Sequence, residues 1–232
     1  MNEDKNMDRL QEIIGYTFRD RELLREAMTH SSYAHERQIN KNRCNERLEF
    51  LGDAVLEQVS SEFLFLRYPD MAEGEMSRFR ASLVCEPALA ECARKIHLGE
   101  LIFLGKGESL CGGREKDSVT SDAFEALLGA MYLDGGAGPV GDFIREMVLK
   151  DPEYKRMTAD PKSALQEYVQ ANDLGEILYT VIGESGPEHD KTFTVELKID
   201  GKARSTGSGH NKKAAEKSAA YELLLKILGD RK

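Results

Sequence analysis

The hydrophobic period changes once along this chain, and the change limits the folds open to it. Up to about residue 150, apolar residues recur at three- and four-residue spacing, as in RELLREAMTH and LEFLGDAVLEQVSSEFLFL, the period of amphipathic helices. Gly- and Asp-containing breaks such as RYPDMAEGE and LDGGAG separate the segments. Beyond the polar stretch KDPEYKRMTADP the period becomes two. In KTFTVELKID, Phe193, Val195, Leu197 and Ile199 alternate with Thr194, Glu196 and Lys198, as in a strand buried on one face. One pattern cannot serve both element types, so the chain reads as two domains. Residues 1–150 are expected to form an all-α domain, 151–159 a linker, and 160–230 a small α+β domain.

Local signals fill in the second domain. Asp160 before Pro161 starts a helix, with Asp as N-cap and Pro at the first helical position. Leu165, Tyr168 and Val169 supply its apolar stripe. ILYTVIGES reads as a first strand, Asp200-Gly201 as a hairpin turn, and NKKAAEKSAAYELLLKIL as a closing helix. The expected order is α-β-β-β-α.

Charge divides with the domains. The chain has 41 acidic and 32 basic side chains, a formal net charge of −9, which argues at first against a nucleic-acid partner. Residues 159–232, however, hold 12 acids and 11 bases, so the acidity belongs to the rest, which holds 29 and 21. The opening MNEDKNMDRL lacks the apolar core of a signal peptide. No apolar run approaches the roughly 20 residues of a membrane span. Cys44, Cys85, Cys92 and Cys111 form no CxxC pair and fit no zinc spacing, so reduced thiols in a cytoplasmic protein are expected.

The densest chemistry lies in Asn45-Glu46-Arg47-Leu48-Glu49-Phe50-Leu51-Gly52-Asp53. On a helix, Glu46, Glu49 and Asp53 fall within an arc of about 60°, with Leu48, Leu51, Val55 and Val59 opposite and Phe50 and Leu56 on the flanks. Acids stacked on one stripe repel one another. The arrangement suits either a solvated acidic face or a site where a cation neutralises the acids, and the apolar flanks favour the cation. A second pair, Asp122 and Glu125, shares a face at i, i+3 in DAFEALLGAMYLDGG. Ser121 or Asp122 followed by a glutamate also reads as a helix N-cap. The two segments offer five acids and no histidine or thiolate, a hard-oxygen set suited to Mg²⁺ or Mn²⁺. Such metals act on phosphate esters by activating water and stabilising the attacking and leaving oxygens.

The last helix breaks a local rule. Lys212 and Lys213 follow the N-cap candidate Asn211, where the helix dipole disfavours cations but welcomes anions. With Lys198, Lys202, Arg204 and Lys217 they set six bases against Asp200 and Glu216 between residues 198 and 217. A solvated lysine face is the plain alternative to a phosphate contact.

NERLEFLGDAVL closely resembles the motif of bacterial ribonuclease III. YTFRDRELLREAMTHSSY, with its Thr-His-x-Ser segment, then EGEMSRFRASLV, LGKGE and SDAFEALLGAMYLDGG, resemble other family blocks in family order. The second domain resembles the double-stranded-RNA-binding domain through its element order, Gly186-Pro187-Glu188-His189 and GSGHNKKAAEKSAA. The resemblance covers essentially the whole chain. It implies an all-α endonuclease domain followed by an RNA-binding domain, acting as a homodimer on double-stranded RNA. It implies a metal centre of Glu49, Asp53, Asp122 and Glu125, with Asp53 and Glu125 most critical for cleavage and Glu46 supporting. Glu73 lies near the site or is a solvated loop acid. Phe50 would pack into the partner subunit, or else into ordinary core. Gln166 and Glu167, His189, and Lys212, Lys213 and Lys217 would face RNA, with minor-groove contacts flanking phosphate contacts. Glu216 stands where many such domains carry lysine, which implies a slightly lower phosphate affinity. Thr120-Ser121 replaces small or apolar residues common in the family and is expected to affect capping. His35 and His97 have no assigned role. Two other readings are a double-stranded-RNA-binding regulator with a silent first domain, opposed by the intact acids, and an Mg²⁺-dependent hydrolase of small nucleotides, opposed by the second domain.

Overall fold

A computed structural model describes residues 3–187 and 191–229. The chain divides into two compact units, Met1–Lys150 and Asp151–Lys232.

The first unit is helical throughout: α1 (Glu3–Ile14), α2 (Arg21–Ala27), α3 (Ser31–Glu36), α4 (Glu46–Arg67), α5 (Glu73–Leu83), α6 (Glu86–Lys95), α7 (Leu98–Leu101), α8 (Lys106–Leu110), α9 (Asp117–Gly135) and α10 (Ala137–Met147), with a 3-10 turn at Lys41–Arg43. α9 is the central helix. Between Val119 and Met131 every residue is buried except Asp122 and Glu125, which are half-buried. Phe124, Leu127 and Leu128 are fully enclosed, each stabilising the fold by about 1.5–3 kcal/mol relative to exposure. α4 packs along α9 in the most extensive helix pairing of the unit. It turns Leu48, Val55, Leu56, Val59 and Leu64 inward.

Glycines set how closely these two helices cross. A Cβ on Gly52 would lie 1.8 Å from the carbonyl oxygen of Glu125, and one on Gly129 would lie 2.2 Å from that of Leu48. The backbones therefore touch where the acids sit. Asp134, near the end of α9, fastens the approach to α2. It accepts hydrogen bonds from the Tyr16 hydroxyl at 2.6 Å and from the Arg19 and Asp20 N–H groups at 3.1 and 2.8 Å.

The second unit contains α11 (Pro152–Ala159), α12 (Pro161–Ala171), β1 (Ile177–Ser185), β2 (Thr192–Ile199), β3 (Lys202–Gly209) and α13 (Lys212–Gly229). The antiparallel sheet has the order β1-β2-β3. Asp200 and Gly201 link β2 to β3 with φ of 51° and 72°, the left-handed pair of a two-residue hairpin that glycine adopts freely. Val195, Leu197 and Ile199 face inward, and α12 and α13 cover the sheet through Leu165, Val169, Ala219, Ala220, Leu223 and Leu224. Asp160 caps α12, accepting from the Ser163 N–H at 3.3 Å, and Asn211 caps α13, accepting from the Ala214 N–H at 2.8 Å.

One expectation changes. The stretch 151–159, expected to be a linker, holds the helix α11. Met157 is buried with the α12 and α13 side chains, and Arg156 pairs with Glu167 of α12. Its polar composition concealed a helix whose anchors include the buried Pro152 and Met157, the Tyr154–Tyr221 hydroxyl contact and the Arg156–Glu167 pair.

Candidate metal centre and nucleic-acid interface

The glycine crossing brings acids from two helices together. Glu49 on α4 and Asp122 and Glu125 on α9 each offer a carboxylate oxygen, and these oxygens lie within 4.8 Å of one another. All three side chains are half-buried. Burial is the first cause of their behaviour, since each carboxyl is pushed above its ordinary range by loss of water. The neighbouring acids add to it. Glu125 rises to about 8, with Asp53, Glu49 and Asp122 adding to burial in that order. Glu49 rises through burial, then Asp122, Glu46 and Asp53. Asp122 rises through burial and, more weakly, Glu86, against a hydrogen bond from Ser121 and the charge of His30.

Three crowded carboxylates with no cation to pair them make an unfavourable arrangement for a folded helix pair, and a divalent cation removes the repulsion. The donor set fits Mg²⁺ or Mn²⁺, being oxygen only and partly withdrawn from water. Asp53 and Glu46 stand at the edge of this group. Both are exposed, and each bears on it through its charge.

The cap reading of Ser121 and Asp122 does not hold. α9 begins at Asp117, so both residues lie inside the helix. Thr120 and Ser121 do not cap it either. Each is buried and its hydroxyl donates back to the helix carbonyls, Thr120 to Lys116 at 3.1 Å and Ser121 to Ser118 at 3.0 Å. The local pattern of a hydroxyl, an acid and a later glutamate resembles a helix start, but here it lies within an already buried helix.

The remaining candidates separate. Phe50 is 80% exposed, so it is not ordinary core of this chain. Glu73 opens α5 and accepts from the Ser77 hydroxyl at 2.8 Å, in a cleft shared with Ser61, Phe65, Met76 and Arg80 rather than within the acid trio. His35 lines a second cleft with Gln38, Cys44 and Glu46. His97 is exposed, in left-handed backbone, with Nδ1 3.2 Å from Glu100. The four cysteines form no disulfide among the described residues. Sequence reasoning gave no role to His30 or Glu86, whose charges reach Asp122. The Thr-His-x-Ser segment was the only signal of the first.

In the second unit, Lys212, Lys213 and Lys217 are exposed along the first turns of α13 and make no ion pair among the described residues. The Lys212 ammonium lies 5.9 Å from the centre of the Phe193 ring. Lys198, by contrast, is paired with Glu196 at 3.0 Å. Glu216 is held by Lys162 at 2.6 Å, joining α13 to α12 and neutralising the acid within the lysine face. Gln166 is exposed on α12, whereas Glu167 is engaged by Arg156. His189 lies outside the described residues.

Comparison with known proteins agrees with both halves. A family profile described as Ribonuclease-III-like matches residues 20–152, and one described as Double-stranded RNA binding motif matches residues 161–227. A protein named Ribonuclease 3 from Caldanaerobacter subterraneus is 48% identical over 94% of this chain and 96% of its own. One from Listeria monocytogenes is 46% identical over 92% and 94%. The solved nuclease domain of ribonuclease III from Campylobacter jejuni is 39% identical, with a TM-score of 0.58, over 62% of this chain and 97% of that one. One profile covers most of the helical unit and the other the α-β-β-β-α unit, and the chain belongs to the ribonuclease III family of endoribonucleases, with a C-terminal double-stranded-RNA-binding domain.

Proposed function

We propose that the protein is an Mg²⁺-dependent endoribonuclease that cleaves double-stranded RNA to products with 5′ phosphate and 3′ hydroxyl ends, Mn²⁺ being able to substitute. The observation that carries this reading is the half-buried trio Glu49, Asp122 and Glu125, whose oxygens lie within 4.8 Å. When bound, the metal supplies an activated water for attack on the scissile phosphorus and stabilises the departing 3′ oxygen. The chain's own part is to hold the carboxylates in place through the α4–α9 crossing, with Asp53 and Glu125 most critical and Glu46 supporting. Lys212, Lys213 and Lys217 hold backbone phosphates, and Gln166, Glu167 and His189 face the minor grooves.

The protein acts as a homodimer in this reading, one site per subunit cutting one strand each and leaving a short 3′ overhang. Phe50 is the anchor in the partner, which accounts for an aromatic ring left 80% exposed beside an acidic stripe. The substrates are structured ribosomal RNA precursors and some messenger RNAs, in the cytoplasm. Consistent with that setting, no helix among the described residues is long and apolar enough to cross a membrane.

The test is incubation of the full chain with long duplex RNA in Mg²⁺, Mn²⁺ or EDTA, followed by end-labelling of the products. Cutting in either metal, none in EDTA, and ends that take label at the 5′ position only after phosphatase treatment are expected. An intact duplex in Mg²⁺, or cutting that persists in EDTA, contradicts the reading.

A further inference from the structure

Helix α3 ends in a Schellman turn. The Gln38 N–H donates to the His35 carbonyl at 3.2 Å, and the Ile39 N–H donates to the Ala34 carbonyl at 2.9 Å. The residue at the bend of such a turn takes left-handed backbone, and glycine usually fills it because it has no Cβ to clash. Here the residue is Gln38, with φ of 55°. A glutamine kept at a cost where glycine fits freely points to a use for its side chain.

Gln38 lines a cleft. Ser31 and His35, one turn apart on α3, stand on the same side of it, and Glu46, at the start of α4, lines it as well. Ala34 and Cys44, each 2% exposed, close it off from below. The Asn45 N–H donates to the Thr29 carbonyl at 2.8 Å, which ties the start of α4 to the start of α3. The Ser31 hydroxyl, the His35 ring and the Gln38 amide make no side-chain hydrogen bond among the described residues. Three neutral polar groups thus converge unsatisfied over an apolar base, the usual make-up of a binding cleft. No lysine or arginine is among its described lining residues, and Glu46 would repel a phosphate, so the group that suits it is neutral. A hydroxyl, at once donor and acceptor, matches the serine, histidine and glutamine. Duplex RNA displays such a group on every nucleotide, the 2′-hydroxyl at the edge of its wide minor groove. Glu46 precedes Glu49 by three residues on α4, with about 5–6 Å between Cβ atoms at that spacing, so the cleft opens beside the acid trio.

We propose that this cleft takes the ribose of a nucleotide next to the scissile phosphate, with Gln38 and His35 hydrogen-bonding its 2′-hydroxyl, so that the nuclease unit itself distinguishes RNA from DNA. The inference rests on the reading of the trio as the centre that cuts the duplex. Its plain competitor is that the cleft is only the hollow left where α3 ends. Glycine at position 38 separates the two, because it keeps the turn and removes the amide.

The test is single-turnover cleavage of a defined duplex in Mg²⁺ by full-length wild type, Gln38→Gly and His35→Ala. Each acts on the all-ribose duplex and on duplexes with one 2′-deoxyribose at each position flanking the cut. In wild type, deoxyribose at one flanking position is expected to slow cleavage about threefold to tenfold, the range for one neutral hydrogen bond. Each variant should cut the all-ribose duplex more slowly by a similar factor and lose little more from that deoxyribose, since the two changes remove the same interaction. Gln38→Gly is expected to melt no lower than wild type, so its slower cutting is not lost stability. Deoxyribose penalties that are the same in wild type and both variants overturn the proposal, whatever the variants' overall rates. So does a wild type indifferent to deoxyribose at every flanking position. If His35→Ala does not fold, Gln38→Gly decides alone. Wild type that leaves the all-ribose duplex uncut refutes the reading of the trio, and this inference with it.

Discussion

Glu125 carries a carboxyl pushed up to about 8, first by burial and then by Asp53, Glu49 and Asp122. Its ordinary value is 4.5, so without metal the folded chain holds this proton more tightly than the unfolded chain does. The sign follows by linkage. The stability associated with the neutral carboxyl is fully present below about pH 4.5, declines as pH rises, and is lost by about pH 8. Glu125→Gln removes that decline. In metal-free buffer the variant is therefore expected to melt above wild type at pH 8 and level with it near pH 4.5. Solvent still reaches the half-buried carboxylate, so the gap at pH 8 is about 1 kcal/mol, or roughly 2–4 °C for a domain of this size. Paired melting curves at the two pH values measure it, and a gap that shrinks toward pH 8 contradicts the assignment. At this scale the stripe of Glu46, Glu49 and Asp53 was legible from helical spacing alone. The standing of Asp122 was not, because a hydroxyl and two acids look the same at a helix start as in a buried interior. Only the enclosure of α9 on its other faces distinguishes them.

At the scale of elements, the site is a consequence of one helix crossing. A Cβ at Gly52 would fall 1.8 Å from the Glu125 carbonyl oxygen, which is backbone and cannot swing away. Gly52→Ala must therefore push α4 and α9 apart where Glu49 faces Glu125. A loss of about 1–3 kcal/mol from overpacking is expected, together with a fall in duplex cleavage larger than the stability change explains. Denaturant melts and cleavage rates on the same samples check it, and a variant with wild-type rates would show that the crossing does not set the site. Periodicity predicted the long helix around Glu49 and the strand β2, and turn and cap signals predicted the Asp200-Gly201 hairpin and the starts of α12 and α13, because each obeys its own local rule. It missed α11, since a helix held by scattered anchors such as Met157 and the Arg156–Glu167 pair shows little apolar pattern. The crossing itself was also hidden. Gly52 and Gly129 lie far apart in sequence, and their meeting is a property of packing.

For the whole molecule, net charge misleads because it averages two unlike units. The −9 of the chain is concentrated in the first, partly as the trio that a divalent cation would neutralise. The second presents Lys212, Lys213 and Lys217 free of ion pairs among the described residues, while Glu216 is taken up by Lys162. Each ammonium that sits on a phosphate displaces counterions, so removing two of them should lower the salt dependence of binding. Lys212→Ala with Lys213→Ala is expected to weaken duplex RNA binding and to reduce the slope of log K against log salt by about 1–2. Binding titrations across salt concentrations measure it, and an unchanged slope counts against phosphate contact there. The central claim is that one unit grips the duplex while the acids of the other cut it. The most direct measurement is single-turnover cleavage of a defined duplex by wild type and Glu125→Gln in Mg²⁺, with RNA affinity measured in parallel. The account predicts that Glu125→Gln binds the duplex as wild type does and leaves it uncut on the timescale of wild-type turnover. Cleavage by Glu125→Gln at the wild-type rate would contradict it.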